Sequence, residues 1–167
     1  MEELVIQRIF RIVLRCQWVV FILATCVNGL VMRRRARNDI AEHPERAEGY
    51  NRLIRWYIFW ANVPWGIMGI GITVGSVPTV VHYLAPREGN PWVTAFYGSV
   101  IAVWGLVCCW VFFLEGAEML VEHPRFLFPN ASSPARVKLY SVLLGVGMLF
   151  LIIMLFLADT PVPEWLS

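Results

Sequence analysis

The sequence predicts an all-α integral membrane protein, with four transmembrane helices paired as two helical hairpins behind an N-terminal amphipathic helix. Three observations carry this prediction. First, the 167 residues are 58% hydrophobic and only 16% charged, against about 45–50% and about 25% in soluble domains. Second, residues 16–32, 56–81, 92–114 and 139–158 include no charged side chain. Third, the basic residues cluster in two segments. Residues 33–55 hold Arg33, Arg34, Arg35, Arg37, Arg46, Arg52 and Arg55, and residues 115–138 hold Arg125, Arg136 and Lys138.

Residues 1–15 form the first element. On a helix, Glu3, Gln7, Arg8, Arg11 and Arg15 share one sector, while Leu4, Ile6, Ile9, Phe10, Val13 and Leu14 cover the rest. Such a helix lies along the membrane interface or runs directly into the first span. Residues 16–167 then form the transmembrane domain, with spans at about 16–35, 56–81, 92–118 and 138–158, each near the roughly 20 residues a crossing needs. The first run ends in Met32-Arg33-Arg34-Arg35, a stop-transfer pattern rather than a signal-peptide cleavage site. Because these runs are continuous rather than alternating, they are helices and not barrel strands.

Basic residues collect on the cytoplasmic side of membranes. Outside the two basic loops lie only Arg8, Arg11, Arg15 and Arg87, so both long loops are expected in the cytoplasm and both termini outside. Aromatic residues fall where interfaces belong. Trp56, Tyr57, Trp60, Trp110, Phe112, Phe113 and Tyr140 mark the inner edge, and Trp18, Tyr83, Trp92 and Trp165 the outer one.

Glu42-His43-Pro44 recurs as Glu122-His123-Pro124. Each triplet follows a span and precedes a loop, which suggests a parallel internal repeat of two hairpins. In each copy proline is the expected helix stop.

Four groups of residues are functional candidates. Asn62, Pro64, Trp65, Gly66, Gly69, Gly71, Gly75 and Pro78 mark the second span as kinked or closely packed, with Gly71 and Gly75 as a small-residue pair. Glu115, Glu118 and Glu122 fall on one face of a helix at the inner end of the third span. They form either an acidic mouth or partners for a third group, Arg33, Arg34, Arg35 and Arg37. Asn28, with Asn62, is a polar residue inside a span.

Cys16, Cys26, Cys108 and Cys109 lie in or beside spans as small apolar residues. No metal site, cofactor site, catalytic set or nucleic-acid surface is expected. In neither triplet does a glutamate stand three residues before the histidine, the spacing that di-iron bundles use. The expected partners are the lipid bilayer and either further copies of this chain or other membrane subunits. Two functions fit this pattern. One is a homo-oligomeric ion channel or small transporter, with Glu115, Glu118, Glu122, Asn62 and Asn28 at the pore or its mouth. The other is an accessory or assembly subunit of a larger membrane complex.

Overall fold

A computed structural model describes residues 2–127 and 132–158; residues 128–131 and the C-terminal segment with Trp165 lie outside the described residues. The chain is all-helical there. It comprises α1 (Glu2–Glu42), α2 (Ala47–Thr73), α3 (Pro91–Phe113), α4 (Gly116–Glu122) and α5 (Pro134–Leu157), with short 3₁₀ turns at Pro44–Arg46, Val80–Leu84 and Pro86–Glu88. Three segments are long and apolar enough to cross a membrane: Ile6–Glu42, Pro91–Phe113 and Pro134–Leu157. Helix α2 is not among them. Trp56, Trp60, Asn62, Pro64 and Trp65 dilute its apolar character, although it packs along α1 as extensively as any pair in the fold.

Helix α1 runs without a break through position 15, so the amphipathic segment continues into the first span instead of turning along the interface. Its 41 residues rise about 60 Å, roughly twice the hydrocarbon thickness of a bilayer. Ile6, Ile9, Phe10, Ile12 and Val13 are exposed on this overhang. The other end of α1 packs into the bundle through Met32 and Ala36.

Two apolar clusters hold the helices together, one at each end. At the arginine-rich end, Met32 and Ala36 of α1 meet Tyr50, Leu53 and Ile54 of α2, Val111 of α3, Leu120 of α4 and Val137 of α5. At the opposite end, Met68 and Ile72 of α2 meet Val77, Tyr83, Phe96, Tyr97 and Ile152. Elsewhere the outer surfaces of α1 and α5 are dominated by exposed large apolar side chains, and α3 exposes Ile101, Leu106, Phe112 and Phe113 among smaller residues. A soluble protein rarely displays so much contiguous apolar surface.

Two sequence expectations about helix ends are corrected here. The second apolar run was expected to be helical to residue 81, but α2 stops at Thr73. Gly75 takes a positive φ of 76°, which glycine adopts without steric cost, and the chain folds back. Val77, Thr79, His82 and Tyr83 are buried as a plug under this end of the bundle. Gly75 and Pro78 are therefore exposed turn residues, not parts of a kinked span. The Gly71/Gly75 pair does not exist as a helical face.

The third span was expected to continue to residue 118, yet α3 ends at Phe113 and α4 begins at Gly116. Glu115 between them has φ 58° and ψ 17°, the left-handed region. Gly116 packs against the Trp110 ring, where a Cβ would lie 2.5 Å from ring carbon. Glu118 and Glu122 still share a face of α4, but Glu115 is outside the helix. The three do not form one stripe.

Both Glu-His-Pro triplets end a helix with the same backbone. His43 has φ −133°, ψ 74° and His123 has φ −119°, ψ 64°. In each, the residue three positions on donates its N–H to the histidine carbonyl, Arg46 to His43 and Phe126 to His123, both at 3.1 Å.

Left-handed backbone costs an L-residue about 1–2 kcal/mol. We expect Glu115→Gly to raise stability by about 0.5–1 kcal/mol in thermal unfolding. A loss of similar size, as for glycine in a helix interior, would contradict the break between α3 and α4.

Candidate functional site

The polar groups that converge most closely lie where α1 turns into α2. Asp39, near the end of α1, is held by Arg46 of the connecting turn at 3.3 Å. The Tyr50 hydroxyl of α2 donates to Asp39 Oδ2 at 2.9 Å and accepts the backbone N–H of Arg125 at 3.3 Å. Burial is the main cause that pushes the Tyr50 hydroxyl up to about 12 from its usual 10.0. The neighbouring Asp39 carboxylate acts in the same direction and the Arg125 N–H against it. Tyr50 is thus kept as a proton donor to Asp39 across the physiological range.

His123 stands edge-on to the Tyr50 ring, with centroids 4.7 Å apart. Its Nδ1 lies 2.8 Å from the Met119 carbonyl. A carbonyl only accepts, so Nδ1 carries the proton. Nε2 is then buried without a hydrogen-bond partner among the described residues and presses against Gly49, where a Cβ would collide with it. The glycine is needed for this approach. The two Glu-His-Pro turns therefore differ in their surroundings, since His43 is half-buried and meets Glu45 at 3.4 Å. Nothing in the sequence singled out Asp39, Tyr50 or Gly49, and only the paired triplet pointed to this region.

The predicted site residues are dispersed. Asn28 donates to the Tyr57 hydroxyl at 3.3 Å, joining α1 to α2. Asn62 donates to the Ile58 carbonyl of its own helix at 2.8 Å, and its Oδ1 is buried without a partner among the described residues. Pro64 is buried inside α2. Trp65 packs between Phe21 and Phe96, at 4.5 and 5.7 Å. Gly69 lies on Trp18, and Gly71 on Trp92 and the Tyr83 hydroxyl, while Gly66 has open space beside it.

Glu118 pairs with Lys138 at 3.8 Å, and neither it, Glu115 nor Glu122 meets Arg33, Arg34, Arg35 or Arg37. Among the described residues, no three His, Cys, Asp or Glu side chains converge as metal ligands would.

The aromatic belts are corrected in part. Trp56 and Phe113 are well exposed, but Tyr83 is buried, donates to the Met68 carbonyl at 3.2 Å and accepts at its own carbonyl from Tyr97. On the outer side of the bundle one helix face differs from the rest. Gly98, Ala102, Gly105 and Cys109 of α3 are all exposed, flanked by exposed Ile101 and Leu106, and apart from the helix's own backbone no atom of the described residues lies within 4 Å of a Cβ built on either glycine. The corresponding surface of α5 is lined by Val142, Leu143, Val146, Phe150, Ile153 and Leu157.

Comparison with protein-family models, curated proteins and solved structures finds no match to this chain.

Gly49→Ala is expected to lower stability by about 1–3 kcal/mol, the usual cost of overpacking. In a His123→Ala background most of that loss should disappear, as read by thermal unfolding in detergent. Equal losses in both backgrounds would show that His123 does not press on Gly49.

Proposed function

We propose that this chain is a four-crossing membrane protein that acts as an accessory or assembly subunit, binding another membrane-embedded helix through α3. The observation that carries this reading is the outward small-residue face of Gly98, Ala102, Gly105 and Cys109. Lipid offers no hydrophobic drive for helices to associate, so transmembrane contacts rely on close backbone approach at small residues. The bulky outer face of α5 is suited to lipid. The open α3 face is suited to a second helix.

Helix α2 serves as the fourth crossing in this reading. It is 27 residues long, about 40 Å of rise, and it runs back along α1 from the arginine-rich end to the plug. The ten basic residues of the two long loops favour that end as cytoplasmic, with both termini outside. The matched Glu-His-Pro turns support two hairpins related by a parallel repeat.

A homo-oligomeric channel or transporter draws less support. The polar groups that would line a path bond locally: Thr25 to the Phe21 carbonyl, Thr73 to Gly69, Ser99 to Phe96 and Asn62 to Ile58. Glu118 is engaged by Lys138. Conduction would then have to run between subunits along apolar surfaces.

The test is the native mass of the protein, with whatever stays bound, after extraction in mild detergent. Gly98→Leu with Gly105→Leu should strip the partner while leaving thermal stability unchanged, because among the described residues a Cβ at either site meets no neighbouring side chain or helix. Gly147→Leu on α5, equally open, should leave the complex intact. Oxidative cross-linking of Cys109 to itself would identify the partner as a second copy. A wild-type chain that extracts as a bare monomer, or a complex indifferent to both leucines, would overturn the reading.

A further inference from the structure

A groove of about 370 Å³ lies between α1 and α2 at the edge of the arginine-rich end. Its apolar part is formed at a close crossing of the two helices. A Cβ on Gly29 would lie 2.5 Å from Ile58 Cδ1 and 3.7 Å from Ile54 Cγ2. Its mouth is formed by Arg33, Asn51 and Arg55. None of the residues lining it is acidic, and among the described residues neither arginine meets a carboxylate.

Asn51 holds both guanidiniums. Arg33 Nη2 donates to Asn51 Oδ1 at 3.2 Å, and Arg55 Nε donates to the Asn51 carbonyl at 3.3 Å. Each guanidinium has five N–H donors, so most remain available after these bonds. Two arginines fixed on neighbouring helices lose less freedom on binding than two unrestrained ones. Their fork geometry matches phosphate oxygens.

The depth of the pair along the helices identifies the ligand. Arg33 is the first charge after the uncharged run 16–32, and Arg55 the last before the run 56–81. Trp56, beside Arg55, is 61% exposed, as an interfacial anchor should be. Phosphate groups of lipids lie at this level, with their acyl chains directed toward Gly29, Ile54 and Ile58.

We infer that this groove binds one anionic glycerophospholipid, its phosphate between Arg33 and Arg55 and an acyl chain along the Gly29–Ile58 crossing. The site is independent of the α3 face and of any partner helix.

Native mass spectrometry of the purified chain in detergent, with equimolar phosphatidylglycerol and phosphatidylcholine added, tests this. The wild type should retain phosphatidylglycerol by about thirtyfold over phosphatidylcholine, in line with two basic residues acting at a membrane surface. Arg33→Gln with Arg55→Gln should abolish that preference. Arg37→Gln with Arg52→Gln removes the same charge at the same end outside the groove and should preserve it. Asn51→Ala, which keeps both charges but frees the Arg33 guanidinium, should weaken retention several-fold. Three results would overturn the inference: no preference in the wild type, equal losses in the two double variants, or displacement of the lipid by equimolar glycerol phosphate. The last would mark a simple anion site with no acyl contact.

Discussion

The Tyr50 hydroxyl donates to Asp39 and accepts from the Arg125 backbone N–H, so a single buried oxygen joins the end of α1, the start of α2 and the turn after α4. Residues 75 apart in sequence meet there. Arg46 neutralises the Asp39 carboxylate, and the edge of His123 closes over the ring. A polar knot of this kind is stable only when its members are satisfied together, because each would be costly to bury alone. It fixes both Glu-His-Pro turns at one end of the bundle.

The remaining geometry follows from that anchor. With the two turns side by side, α1 and α2 run away from the arginine-rich end as an antiparallel pair, and α3 and α5 as another. They meet again at the far end around Tyr83, Phe96 and Tyr97, where the 77–83 plug fills the space that α2 vacates by stopping at Thr73. Between these ends the helices expose apolar side chains outward, and backbone hydrogen bonds are closed within each helix, as a lipid surround requires. The arginines stay outside the knot. Arg33 and Arg55 are left facing a groove rather than an acid, and this gives that rim its affinity for phosphate.

Much of this was legible in the amino-acid sequence, and the failures have physical causes. Uncharged runs flanked by arginines identify apolar helices because hydropathy measures transfer from water, and the prolines at 44 and 134 stand beside the helix starts. Hydropathy says little about where a helix stops inside an apolar run. Gly75 and Pro78 held that information for α2, and the Glu115-Gly116 pair held it for α3, but each also fits a packed or kinked span. Tyr83 resembles an interfacial tyrosine in sequence, and only its partners distinguish a belt from a core. The acidic face failed for a similar reason. Spacing of three and four residues implies one face only if the helix is continuous, and the left-handed backbone at Glu115 interrupts it. Tyr50 left no local signature, since its importance comes from a segment 75 positions away, and Asp39 matters through Tyr50.

The crossing of α2 is the claim on which topology, the lipid groove and the α3 partner face all rest. Single cysteines at Glu48→Cys, Arg87→Cys and Ser132→Cys, in a chain otherwise free of cysteine, test it through labelling of sealed vesicles with a membrane-impermeant maleimide. With α2 crossing, positions 48 and 132 label from one face and position 87 from the opposite face. Labelling of 48 and 87 from the same face would leave α2 within one interface, give three crossings and contradict it.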